Sequence, residues 1–167
     1  MTPIILGIDP GTKYLGMAVT DGRNFLGGGV HTLHNGHRPH DVIGQARKVV
    51  LSYVVRFSPK VVAIERPLLF PTKRAALVSV IAEELRARSV DLGMTVHEVS
   101  ARDARQRVLG NERATKFDVA HALVRMGFFS LREKLPAKPP HPVLGYGPKE
   151  LYWLHLFDAL AVAGAVA

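Results

Sequence analysis

Residues 4–12 read Ile4-Ile5-Leu6-Gly7-Ile8-Asp9-Pro10-Gly11-Thr12, an aliphatic run closed by an acid and a tight turn. Ile4 to Ile8 has the length and composition of a buried strand, and Pro10-Gly11 stops it from continuing. Open α/β sheets bind their ligands at the carboxyl ends of such strands, which makes Asp9 the first candidate functional residue. A second run repeats the pattern, with Val61-Val62-Ala63-Ile64 leading into Glu65 and then Arg66-Pro67. If the two strands are neighbours in parallel register, both acids meet at one rim, where their repulsion is tolerable only with a cation present.

Working outward, Tyr14 to Thr20 and Phe25 to Leu33 read as strands joined at Asp21-Gly22, a hairpin signal. From His40 to Phe57 apolar residues recur at three and four, predicting a helix stopped by Ser58-Pro59. Thr72 to Leu92 predicts a second helix ended by Gly93, and Thr95 to Val99 a fifth strand. Short helices are expected over Ala101–Leu109, opened by Ser100 and Asp103, and over Thr115–Met126. Five prolines and two glycines make 135–148 a restricted loop, and a last helix runs from about Pro148. Two short strands joined by a whole helix pair in parallel. The expected class is therefore α/β: a mixed five-stranded sheet, three antiparallel strands and then two parallel ones, flanked by helices.

The 167 residues suit one domain, 1–167, large enough to bury a core without staples, and the absence of cysteine excludes disulfides and thiolate metal sites. The most apolar stretch, Leu151 to Ala167, is short for a membrane span and carries His155 and Asp158. The N-terminus lacks the basic region of a signal peptide, so a soluble cytoplasmic protein with no membrane partner is expected. The formal net charge is +8, a field that attracts polyanions.

Asp158 lies inside Leu156-Phe157-Asp158-Ala159-Leu160-Ala161, where an acid is costly unless paired or metal-bound. His155, three residues earlier, shares its helix face. The alternative is a hydrogen-bonded core pair. Oxygen-rich ligands with one imidazole suit Mg²⁺ or Mn²⁺ better than zinc. Two such ions held by Asp9, Glu65, His155 and Asp158 would form a phosphodiester-hydrolysing centre, and the basic surface then fits a nuclease.

The segments Ile5-Leu6-Gly7-Ile8-Asp9-Pro10-Gly11-Thr12 with Gly16, Ala63-Ile64-Glu65, and Asp158-Ala159-Leu160-Ala161-Val162-Ala163 resemble the signatures of the RuvC family of Holliday-junction resolvases. The resemblance spans nearly the whole chain. It implies a ribonuclease-H-like fold, a homodimer, and Mg²⁺- or Mn²⁺-dependent cutting of four-way DNA junctions in recombination and repair. It also implies an acidic tetrad containing Asp9, Glu65 and Asp158. The fourth member, commonly Asp, falls on His155, a variant that some members resemble.

The segment from Ser100-Ala101-Arg102-Asp103 through Ala114-Thr115-Lys116 is similar to a family stretch approaching the scissile phosphate. That resemblance nominates Lys116 as catalytic, with Arg102, Arg105 and Arg107 as phosphate contacts. Phe70 stands, at a different offset, for the family's junction-wedging aromatic residue. Arg66, Lys73 and Arg74 complete the expected nucleic-acid-binding set. Gly11-Thr12-Lys13 and Gly16 to Asp21 also resemble the sister YqgF (RuvX) family, which would imply structured RNA as substrate and a monomer. A catalytically inactive nucleic-acid-binding module is the third reading. Asp-Pro-Gly-Thr is similar as well to a phosphate loop of the sugar-kinase and actin superfamily, but 167 residues supply only one such domain. His31, His34, His37 and His40 recur every third residue around Gly36 and Pro39, and are expected on an exposed loop rather than around a metal.

Overall fold

A computed structural model describes residues 2–34, 38–68 and 71–167. Five strands, β1 (Ile5–Asp9), β2 (Tyr14–Thr20), β3 (Phe25–Thr32), β4 (Val61–Glu65) and β5 (Thr95–Val99), form one sheet in the order β3-β2-β1-β4-β5. β1–β2 and β2–β3 are antiparallel, whereas β1–β4 and β4–β5 are parallel. This is the mixed sheet expected from the sequence. Both candidate acids are the last residues of their strands rather than the first residues of turns. Asp9 still pairs with Gly16 and Glu65 with Val99, so the ladder extends one residue beyond the aliphatic runs.

The Asp21-Gly22 connection is a four-residue loop rather than a two-residue turn. The Asp21 carboxylate accepts hydrogen bonds from the backbone N–H of Arg23 (2.9 Å) and Asn24 (2.7 Å) and from the Asn24 side chain (2.9 Å). These bonds hold the Asp21 carboxyl down to about 2.

Helices cover both faces. On one lie α1 (Pro39–Phe57) and α2 (Lys73–Asp91), on the other α3 (Ala101–Leu109), α4 (Lys116–Arg125) and α5 (Pro148–Gly164). Thr72 caps α2, accepting from the Ala75 N–H, and Gly93 follows its end with φ +77. Side chains alternate along the central strands as the two-residue period requires. Leu6, Ile8, Val62 and Ile64 enter the core under α1 and α2, while Ile5 and Ala63 enter the core under α3, α4 and α5. Asp9 shares the side of Ile5, and Glu65 that of Ala63.

α5 is the apolar stretch that is too short for a span. No helix among the described residues is long and apolar enough to cross a membrane. Its residues 156–163, Asp158 apart, are buried against β1, β2, β4, α3 and α4, so it is hydrophobic nearly all round for packing reasons. Its approach to the sheet is unusually close. A Cβ on Gly7 would lie 1.9 Å from the Ala159 carbonyl oxygen, and one on Gly16 would lie 2.0 Å from that of His155.

The histidine series requires a correction. His31 belongs to β3 and is half-buried, its Nε2 hydrogen-bonded to the Tyr53 hydroxyl at 3.0 Å. β3 runs to Thr32, so the strand claims this residue. His40 is the second residue of α1, and His37 lies outside the described residues. The loop 135–148 is preceded by a 3₁₀ turn, Phe129–Lys134, and carries a small bridge between His141 and Gly145.

Gly7→Ala is expected to push α5 off the sheet. The cost should be roughly 3 kcal/mol, read as a fall in Tm of about 10 °C by calorimetry or circular dichroism.

Candidate active site

Strand alternation and register assemble the first half of the site. Ile8 pairs with Ile64 in parallel, so the next residues, Asp9 and Glu65, lie side by side on the face that α5 covers. α5 supplies the second half. It runs antiparallel to β1, with Ala159 and Ala163 over Gly7 and His155 over Gly16, which sets Asp158 above the paired strand ends. Asp9, Glu65 and Asp158 each present an oxygen within 4.8 Å of the others, the one group of this kind among the described residues. Three elements far apart in sequence thus meet at one point.

The site is shielded from water. Asp9 is 8% exposed, and its Oδ2 lies 2.5 Å from His155 Nδ1. His155 is thereby brought to the site through Asp9 and stands beside the carboxylate triad. The Tyr14 ring packs on the imidazole, 5.6 Å between centroids, and the Tyr152 ring stands edge-on to Tyr14. Tyr14 reads in the sequence only as a β-forming residue, so its positioning role has no local signal.

Lys116 forms an ion pair with Asp158 Oδ2. Its place at the first turn of α4 is fixed by a capping box, in which Thr115 Oγ1 accepts from the Asp118 N–H (3.2 Å) and Asp118 Oδ2 accepts from the Thr115 N–H (2.9 Å). Thr115-x-x-Asp118 is a local signal for that cap, beyond the amphipathic pattern on which the expected helix rests. A second fastening has no sequence signal: the Phe117 N–H donates to the Tyr146 hydroxyl at 3.0 Å, tying the proline-rich loop to the start of α4.

Crowding of like charge shows in the proton affinities. Burial, then the charges of Asp9 and Asp158, push Glu65 up to about 8. Burial also raises Asp158, against the pull of Lys116. Burial works to lower Lys116, but Asp158 and Asp9 outweigh it and hold the ammonium charged. Carboxylates placed where they repel, with one fixed ammonium to offset them, are a donor set suited to a hard divalent cation.

The expected nucleic-acid contacts divide by position. Arg105 lines a narrow cleft with Glu65 and Asp158, at the site itself. Lys73 and Arg74, in the first turn of α2, line a cleft of about 400 Å³ with Thr12, Lys13 and Leu77, beside the turn that follows Asp9. Arg66 is exposed just past Glu65. Arg102 instead makes a two-pronged ion pair with Glu112, 2.5 Å on each prong. Arg107 lines a separate cleft of about 630 Å³ with Glu98, Asp103 and Val166. Val166 lies about two helical turns beyond Asp158, so this cleft is away from the acids. Phe70 lies outside the described residues.

Proteins similar to this chain are known. A family model described as "Crossover junction endodeoxyribonuclease RuvC" matches residues 5–139. A protein of that name from Vibrio vulnificus is 33% identical over 147 residues, 81% of this chain and 78% of the relative. Another from Chlorobium phaeobacteroides is 29% identical over 128 residues, 74% of this chain and 68% of the relative. The structure of Thermus thermophilus RuvC in complex with Holliday junction substrate superposes with a TM-score of 0.72 at 24% identity, covering 98% of this chain and 92% of that one. The yeast mitochondrial Holliday junction resolvase Ydc2 superposes with a TM-score of 0.66 at 13% identity, covering 98% of this chain and 77% of that one. The likenesses in three dimensions establish the ribonuclease-H-like fold. With the family match running over most of the sequence, through both strand-terminal acids, the chain belongs to the RuvC family of crossover junction endodeoxyribonucleases.

Proposed function

We propose that this protein is a metal-dependent, structure-selective endonuclease that resolves four-way DNA junctions. The observation that carries the reading is the convergence of Asp9, Glu65 and Asp158 within 4.8 Å, beside a charged Lys116. Family membership and the junction-bound structural neighbour favour DNA over the RNA-processing reading.

Asp9, Glu65 and Asp158, with His155 completing the set, would hold two Mg²⁺ or Mn²⁺ ions. Ions held there would supply an activated water and a positive charge for the leaving oxygen. The protein's own groups do the rest. His155 holds the Asp9 carboxylate in one orientation. Lys116 is placed to swing from Asp158 to a phosphate oxygen, giving up one charge partner for another. Arg105 sits where the scissile phosphate would approach, and Lys13, Lys73, Arg74 and Arg66 hold the strand on either side. Arg102 and Arg107 join that set only if they leave the acids that now surround them. Opposed cuts in a symmetric junction call for two active centres, hence a homodimer as the working species.

In Mg²⁺ or Mn²⁺, a labelled four-way junction should be nicked in opposite strands at matching positions. Asp9→Asn should lower the rate by about 10³ or more with junction affinity within about threefold. Cutting of structured RNA but not of junctions would move the assignment to RNA, and binding with no cleavage in either metal would leave a binding module. Lys116→Met should slow cleavage by on the order of 10²-fold and reduce the salt slope of binding by about one.

Glu65 also sets a pH dependence. Its folded pKa of about 8 lies above the ordinary 4.5, so the folded chain holds the proton more tightly. Metal-free stability should therefore decline as pH rises from about 5 to 8 and level off above. Glu65→Gln should flatten that decline and raise Tm at pH 8 by on the order of 5 °C in chelator. Added Mn²⁺ should stabilise the unmodified protein more than the variant.

A further inference from the structure

The two most exposed large apolar side chains among the described residues are neighbours: Val143 is 86% exposed and Leu144 81%. They form the tip of a built turn. The His141 N–H donates to the Gly145 carbonyl at 3.0 Å, and the Gly145 N–H returns a bond to the His141 carbonyl at 2.8 Å. The His141 Nδ1 accepts from both the Val143 and Leu144 N–H groups at 3.2 Å. Gly145 turns the chain at φ +69. With the tip's amides satisfied internally, Pro142 stiffening the tip and Pro136, Pro139, Pro140 and Pro148 its arms, the two side chains are held outward in water rather than folded under.

The position of this tip is fixed by the fold. α5 runs antiparallel to β1, so the loop feeding α5 emerges at the end of the sheet where the carboxylates lie. Tyr146, directly after the bridge, is fastened to the Phe117 N–H next to Lys116. Chain geometry then places Leu144 no more than about 20 Å from Lys116, inside one turn of a DNA duplex of roughly 34 Å. Lys138 and Lys149, both exposed, flank the tip and suit a polyanion.

Resting on the nuclease reading above, we propose that Val143 and Leu144 pack against an unstacked base of branched DNA beside the cleavage site and so contribute to selection of branched over linear DNA. Aliphatic side chains that enter a base step work by covering a base face that stacking no longer covers, and a branch point offers such faces with little unstacking cost. This contact is distinct from any made by the segment after Glu65, because it comes from the chain between α4 and α5.

The test compares the full-length protein with V143S/L144S and with the conservative V143I/L144M, using a four-way junction and a linear duplex in Ca²⁺, with 2-aminopurine at the branch point. The serine variant should lose about tenfold in junction-over-duplex preference and the fluorescence rise at the branch, while its Tm and duplex affinity stay put. The conservative variant should keep both. A serine variant with unaltered preference and fluorescence overturns the proposal. So does one whose oligomeric state changes on sedimentation, since the tip would then cover a second copy. If the unmodified protein neither prefers junctions here nor nicks them in Mg²⁺ or Mn²⁺, the nuclease reading falls and this inference with it; if it nicks junctions and the serine variant keeps the unmodified preference and fluorescence, this inference falls alone.

Discussion

The backbone of one helix rests on the backbone of two strands. Gly7 and Gly16 leave no side chain between α5 and the middle of the sheet, so the helix sits at carbonyl contact rather than at the ~10 Å of ordinary layer packing. The helix's half of the site follows from that approach. Asp158 descends to the level of Asp9 and Glu65, and the His155 imidazole reaches the Asp9 carboxylate. A methyl group at either glycine would collide with a carbonyl of α5.

That closeness has an energetic cost, visible in the carboxyls. Glu65 is pushed to about 8 and Asp158 is raised, so in the absence of a cation the fold holds these acids in an environment that disfavours their charge. Lys116 offsets part of the repulsion, and its own position is specified twice, by the Thr115–Asp118 capping box and by the Tyr146 hydroxyl at the next amide. An arrangement so strongly determined by its surroundings, yet locally unfavourable, suits the proposed catalysis by divalent ions, which would need ligands already in place before the ions arrive.

The net charge of +8 is spread unevenly in its effects. Arg102 is paired with Glu112, and Arg107 shares its cleft with Glu98 and Asp103. Lys13, Lys73, Arg74 and Arg105 line the acidic rim and its flank. A basic composition indicates a polyanionic partner, but the folded pairing of charges determines which cations are left to meet it.

Much was legible in the residues alone, because it depends on near neighbours. The five strands, the five helices and the two strand-terminal acids follow from periodicities of two and 3.6 and from turn-forming residues within a few positions. The cost of a lone Asp158 in an apolar helix was equally local. What could not be read were other meetings between distant segments: Tyr14 on His155, Tyr146 on α4, Arg102 on Glu112, and His31 drawn into β3 beside Tyr53. Local chemistry prescribes what each segment can become and which groups it must present. Which groups touch is set by sheet order, by register, and by how closely a helix can approach a strand, and these are properties of the packed chain.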